Sequence, residues 1–250
     1  GKFDPCLPVH INEFGEQGIR FDYERCCMPY ITDEVLAEIF QEQSESVKQQ
    51  FLQKHGPQQY VLLPQFDTQQ KVAAHFKKLQ DANSIRLRDG LYDLISNVIL
   101  FEEEGSEKTE FHFRIAIDQT SSFRHLQPHI REKMWHLYID YFYRRQNEFW
   151  RKESLKKLPQ LKAATNMLVC GEDLGMVPES VPGVMKQLGI LSLEIQRMPK
   201  DPGVKFFNPA HAPYLSVVTP STHDMSTICG WWEEDNGLTQ QFYNTVLRQS

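Results

Sequence analysis

The apolar positions of this chain change period part-way along it. Through residues 1–125 they recur at helical spacing, in short and irregularly placed stretches. Val35, Leu36, Ile39 and Phe40 form one stripe behind Thr32, whose hydroxyl is placed to cap a helix carrying Asp33 and Glu34 in its first turn. Val72, Phe76 and Leu79 mark a second helix, and Leu87, Leu91, Leu94 and Ile95 a third. The segment Phe111 to Ile117 alternates enough to predict a strand. A longer helix is predicted from about Pro128 to Leu158, with Ile130, Met134, Leu137 and Tyr141 on one face and Pro159 as its stop.

Residues 126–250 then settle into a rhythm. Short apolar runs at Met167–Cys170, Leu191–Ile195 and Tyr214–Thr219 are centred near 168, 193 and 216. A helix face of Val181, Val184, Met185 and Leu188 lies between the first two, with Gly189 as its C-terminal stop. Ile228, Trp231 and Trp232 begin another helix. Apolar strands alternating with helices at this period predict α/β structure with a parallel sheet, about three βα units preceded by a mostly helical region. A (β/α)8 (TIM) barrel and an open doubly wound sheet satisfy the pattern equally.

Composition narrows the partners more than the fold. The net charge of −6 has its cations interleaved with acids, which excludes the basic footprint of a nucleic-acid binder. No apolar run approaches the ~20 residues of a membrane helix, and Gly1–Pro5 is followed by no apolar leader core. Five cysteines without a C-x-x-C pair predict a reduced, cytoplasmic chain.

Catalytic groups in parallel βα structures gather just past the C-terminal ends of the strands. Two polar clusters occupy such positions. Gly171-Glu172-Asp173-Leu174-Gly175 follows the first run, and Ser221-Thr222-His223-Asp224 follows the third. Each has a bland alternative. Glu172 serves a helix start as an acid near its dipole, Asp224 serves as an N-cap, and His223 as a structural histidine. Asp173 suits a structural role better than Glu172, because adjacent side chains on extended backbone point apart. Glu194 and Gln196 share a strand face, where they are placed to bond each other or the neighbours of Arg197. His223, Asp224 and Cys229 fit no common zinc spacing. Trp231 and Trp232 sit at helical spacing and read as core.

Cys170-Gly171-Glu172-Asp173-Leu174-Gly175 resembles the acid/base motif of glycoside hydrolase family 77, the 4-α-glucanotransferases. Ser221-Thr222-His223-Asp224 followed by Gly230-Trp231-Trp232 resembles that family's next catalytic motif. Leu193-Glu194-Ile195-Gln196-Arg197-Met198-Pro199 is similar to the cytosolic disproportionating branch, in which a helical insertion interrupts the barrel. Phe21-Asp22 through Ile31 resembles the start of that insertion.

The resemblance implies a partial (β/α)8 barrel and a retaining transfer of glucosyl or maltosyl units between α-1,4-glucans, with malto-oligosaccharide partners and neither metal nor cofactor. It makes Glu172 the acid/base and Asp224 the transition-state stabiliser. His223, Gln196 and Arg197 become substrate-binding positions. The family's nucleophilic aspartate follows an arginine-rich strand upstream of the insertion, and no segment here matches it. Arg114 and Asp118 place an arginine before an aspartate, but ahead of the long helix, where Asp118 reads as a turn residue with Thr120 and Ser121. The expectation is therefore an internal piece of a larger enzyme, inactive alone and prone to self-association through open strand edges. A hydrolytic α-glucosidase or amylase is the rival chemistry. A non-catalytic carbohydrate-binding or structural module is the rival role.

Overall fold

A computed structural model describes residues 5–79 and 81–248. Most of the opening segment read above and the last two residues of the chain lie outside the described residues. The chain divides into two compact units, residues 1–142 and 143–250. The division falls inside the helical stretch that the apolar pattern assigns to 128–158.

The first unit is mostly helical. Its elements are β1 (Val9–His10), α1 (Ile11–Glu16), α2 (Tyr23–Cys27), α3 (Asp33–Phe40), α4 (Ser44–Phe51), β2 (Leu52–Gly56), β3 (Gln59–Leu62), α5 (Gln69–Phe76), α6 (Ala82–Ser96), β4 (Leu100–Glu102), β5 (Glu110–Phe113), α7 (Ser121–Arg124) and α8 (Pro128–Asp140). Strands β1, β5 and β4 form one antiparallel sheet, in that order, and β2 with β3 a hairpin. One core gathers Phe14, Phe111, Phe113, Met134 and Tyr141; a second gathers Val35, Leu36, Phe40, Phe51 and Leu91. Thr32 caps α3 as predicted, its Oγ1 accepting the Val35 N–H at 3.3 Å.

Two sequence expectations need correcting in this stretch. The strand predicted over Phe111–Ile117 stops at Phe113, because Ala116 turns left-handed at φ 54° and Ile117–Gln119 forms a 3-10 turn. Asp118 lies exposed on that turn, and Thr120, not Asp118, caps α7 through the Phe123 N–H at 3.1 Å. The long helix is also interrupted. A π-helical turn over Tyr141–Arg145 separates α8 from α9 (Gln146–Ala163).

The second unit holds α9, α10 (Ser180–Leu188), β6 (Ser192–Ile195), β7 (Ser216–Thr219), α11 (Ile228–Glu234) and α12 (Asn236–Phe242). Pro159 lies within α9 rather than ending it. The ring removes one ladder bond, yet the helix continues, and near its end Lys162 donates to the Leu188 carbonyl of α10. Gly189 closes α10 in the left-handed conformation at φ 61°, as expected of a C-terminal glycine. Strands β6 and β7 pair in parallel, Ser192 opposite Ser216 and Ile195 opposite Thr219. The strand expected near 168 is reduced to a parallel bridge between Cys170 and Leu191. Pairing there is confined to its C-terminal end, where Gly171 N–H reaches Leu191 O at 2.8 Å, while Met167 and Leu168 are about three-quarters exposed. Phe206, Trp231 and Phe242 pack as the core beneath α11 and α12.

Candidate active site

Three segments leave the same edge of this parallel array side by side: residues 171–175 after the Cys170 bridge, 196–200 after β6, and 220–226 after β7. At a strand spacing of ~4.8 Å, the outer two exits are roughly 10 Å apart at the sheet.

The first segment separates its two acids. Glu172 is exposed, its Oε1 accepting the Leu174 N–H at 3.3 Å. Asp173 turns inward and is buried. Its Oδ1 accepts the Leu193 N–H of β6 at 3.0 Å and its Oδ2 accepts from Lys200 Nζ at 2.7 Å. This is the division of direction that extended backbone imposes on neighbours. Glu194, also buried, accepts from the same Lys200 at 2.8 Å and from the Ser192 hydroxyl at 3.2 Å. Glu194 thus takes Lys200 and Ser192 as partners. Burial disfavours the charge on Lys200, but the hydrogen bonds to Asp173 and Glu194 outweigh it and hold this ammonium above the ordinary lysine range. The triad lines a cavity of about 1120 Å³, with Leu174, Met185 and Tyr214 also among its walls.

The second segment is a tight turn. Ile195 O accepts the Met198 N–H at 3.2 Å, which places Gln196 and Arg197 at the turn's centre. The Gln196 carbonyl accepts the Phe207 N–H at 2.8 Å. Arg197 reaches the next segment, donating from Nε to Pro220 O at 2.9 Å and from Nη2 to Ser226 O. Its guanidinium carbon stands 5.0 Å from the ring centre of Trp231, which is buried as the sequence predicts, whereas Trp232, also read as core, is 42% exposed.

The third segment carries His223 and Asp224, both strongly exposed, with Nε2 and Oδ1 3.2 Å apart. The Asp224 N–H is directed to Thr222 Oγ1 at 3.3 Å. Asp224 does not cap the following helix; Thr227 does, accepting the Gly230 N–H at 3.2 Å. The carboxylate of Asp224 is left facing solvent at the strand-end edge.

The structure therefore brings Glu172, Gln196, Arg197, His223 and Asp224 to one edge of one unit. Sequence reading missed Lys200. Its role shows only in the fold, where Asp173 and Glu194 turn inward from neighbouring segments and Lys200 donates to both.

The sequence profile of the 4-alpha-glucanotransferases, glycoside hydrolase family 77, matches residues 75–250. The chain is 38% identical over 254 residues to the 4-alpha-glucanotransferase DPE2 of Oryza sativa subsp. japonica, covering 99% of this chain and 26% of that protein. It is 34% identical over 98 residues to a 4-alpha-glucanotransferase of Chlamydia pneumoniae, and 39% over 88 residues to that of Chlamydia caviae; these cover 36% and 34% of this chain, and 18% and 16% of those proteins. The chain thus spans about a quarter of its rice relative and less of the bacterial ones. No solved structure matches it significantly. On the profile match, this chain belongs to the 4-alpha-glucanotransferase family, glycoside hydrolase family 77.

Proposed function

We propose that the full-length protein containing this chain is a retaining 4-α-glucanotransferase that moves glucosyl or maltosyl units between malto-oligosaccharides. Glu172 protonates the departing glycosidic oxygen. It then deprotonates the 4-hydroxyl of the acceptor glucan, which replaces water in the second step. Asp224 holds sugar hydroxyls and stabilises the oxocarbenium-like transition state, with His223 and Gln196 contacting hydroxyls beside it. The observation that carries the reading is the shared edge. The exposed Glu172 and the exposed His223–Asp224 pair leave one parallel array on the same side, in a chain whose family transfers glucans.

The nucleophilic aspartate belongs, on this reading, to a segment outside these 250 residues, and the three parallel segments belong to a (β/α)8 barrel. The open backbone edges of this array pair with neighbouring strands of that barrel. Isolated, the chain self-associates through these edges and transfers no glucan.

Product analysis tests the reading. Full-length protein given maltose with a labelled oligosaccharide acceptor should yield labelled glucans longer than the acceptor. Products that only shorten would place the protein with the hydrolytic glucosidases instead.

A further inference from the structure

The turn after β6 carries two cations that reach in opposite directions. Lys200 ties Asp173, the residue next to Glu172, to Glu194 of β6 at 2.7 and 2.8 Å. Arg197 grips the Ser221–Asp224 loop at both of its ends, through the carbonyls of Pro220 and Ser226. We infer that Arg197 and Lys200 form a cross-brace that fixes the separation of Glu172 and Asp224. Arg197 is then a positioning residue rather than a substrate ligand. The inference rests on the acid/base and stabiliser roles proposed for those two carboxylates.

The brace is built to be stiff. Its turn is closed by the Ile195–Met198 hydrogen bond and tied to Phe207 through the Gln196 carbonyl. The guanidinium of Arg197 lies over the buried Trp231, so its fork is aimed before any substrate arrives. Beyond Arg197, the far end of the loop is held by Ser226 Oγ donating to Glu234 Oε2 at 3.0 Å. Its other contacts include a 2.7 Å bond from Thr219 Oγ1 to Ser221 O and a 3.4 Å bond from Met225 N to Thr222 O. On the other side, the Asp173 and Glu194 side chains are only 6% and 10% exposed and share one ammonium. Without Lys200 these carboxylates repel at close range in a desolvated place. The segment bearing Glu172 then loses its fixed register against β6. Small errors in the placement of a reacting group carry large costs in rate.

Chemistry makes the two ends respond differently to conservative change. A lysine at 197 is a point charge that cannot reproduce a planar fork on two carbonyls six residues apart. An arginine at 200 still offers several donors to two carboxylates. The test uses the full-length protein with maltose as donor. Arg197→Lys is expected to keep its melting temperature and lose at least tenfold in kcat, with KM within about twofold. Lys200→Met is expected to lose at least tenfold in kcat, and Lys200→Arg to recover most of it. Millimolar guanidinium should restore part of the activity of Arg197→Ala, which a general loss of stability would not permit. Should Arg197→Ala not fold, Arg197→Lys carries the test alone. Arg197→Lys with kcat within twofold of the parent would overturn the brace. So would a tenfold rise in KM at unchanged kcat, which would make Arg197 a ground-state ligand. Near-normal transfer by Glu172→Gln would defeat the underlying assignment. Loss in Glu172→Gln with normal rates in both brace variants would defeat the brace alone.

Discussion

Asp173 Oδ1 accepts the N–H of Leu193 at 3.0 Å, so the residue beside the proposed acid is stitched to the middle of β6. A side chain has taken the place of a strand neighbour at a backbone donor. Asp173→Ala removes that acceptor and leaves Lys200 with Glu194 alone, which should cost roughly 1–3 kcal/mol of stability. Asp173→Asn keeps a carbonyl oxygen for Leu193 and should cost less. Urea denaturation followed by tryptophan fluorescence checks both, since Trp150, Trp231 and Trp232 all lie in the second unit. An alanine variant as stable as the parent would show that the stitch does not hold the segment.

Gly90 lies in the middle of α6 where a side chain has no room. A Cβ there would come within 2.4 Å of the Phe40 ring and 3.0 Å of Ile39 Cγ2, and Phe40 is 1% exposed. Alanine gains about 1 kcal/mol in helix propensity over glycine. Forcing a buried ring aside costs about 1–3 kcal/mol. Gly90→Ala should therefore destabilise the first unit, read as a lower urea midpoint. An increase would mean that α3 and α6 separate more easily than their packing implies.

Tyr23 supplies a pH dependence. Its hydroxyl donates to Glu102 Oε2 at 2.6 Å, and this bond, helped by burial, raises the phenol to about 12. A folded-state pKa above the unfolded one favours the neutral phenol. Its contribution is complete below the unfolded value near 10 and is lost as pH rises through 12. The stability gap between the parent and Tyr23→Phe should be about 1 kcal/mol at neutral pH. That gap should be steady to about pH 9 and should close on further alkaline titration. A gap that widens with pH would reverse the sign.

Much of this fold could be read from the chain before its structure. The Thr32 cap, the faces of α3, α6 and α10, and the Gly189 stop follow from local pattern, where side-chain chemistry and backbone geometry act within a few residues. The parallel pairing of β6 and β7 followed from period. What could not be read depends on neighbours distant in sequence. The run Met167–Cys170 carries strand composition but pairs only at its end, and Pro159 sits inside a helix that continues past it. The placement of Glu172 and Asp224 just past strand ends was legible from the βα period. Lys200 was not legible, because it meets Asp173 and Glu194 only after three segments have converged. Arg197 was legible as part of a site, but a guanidinium bound to two backbone carbonyls leaves no mark in sequence that separates it from one awaiting a sugar.

If Glu172 is the acid/base, its loss must hurt only donors whose leaving group needs a proton. In the full-length protein, Glu172→Gln should reduce transfer from maltose by roughly 10²–10⁴-fold, the contribution of a placed general acid. The same variant should still form its glycosyl intermediate from α-maltosyl fluoride, whose leaving group needs no proton. Loss with maltose and retention with the fluoride is the predicted result. Near-normal transfer from maltose would contradict it, as would equal loss with both donors.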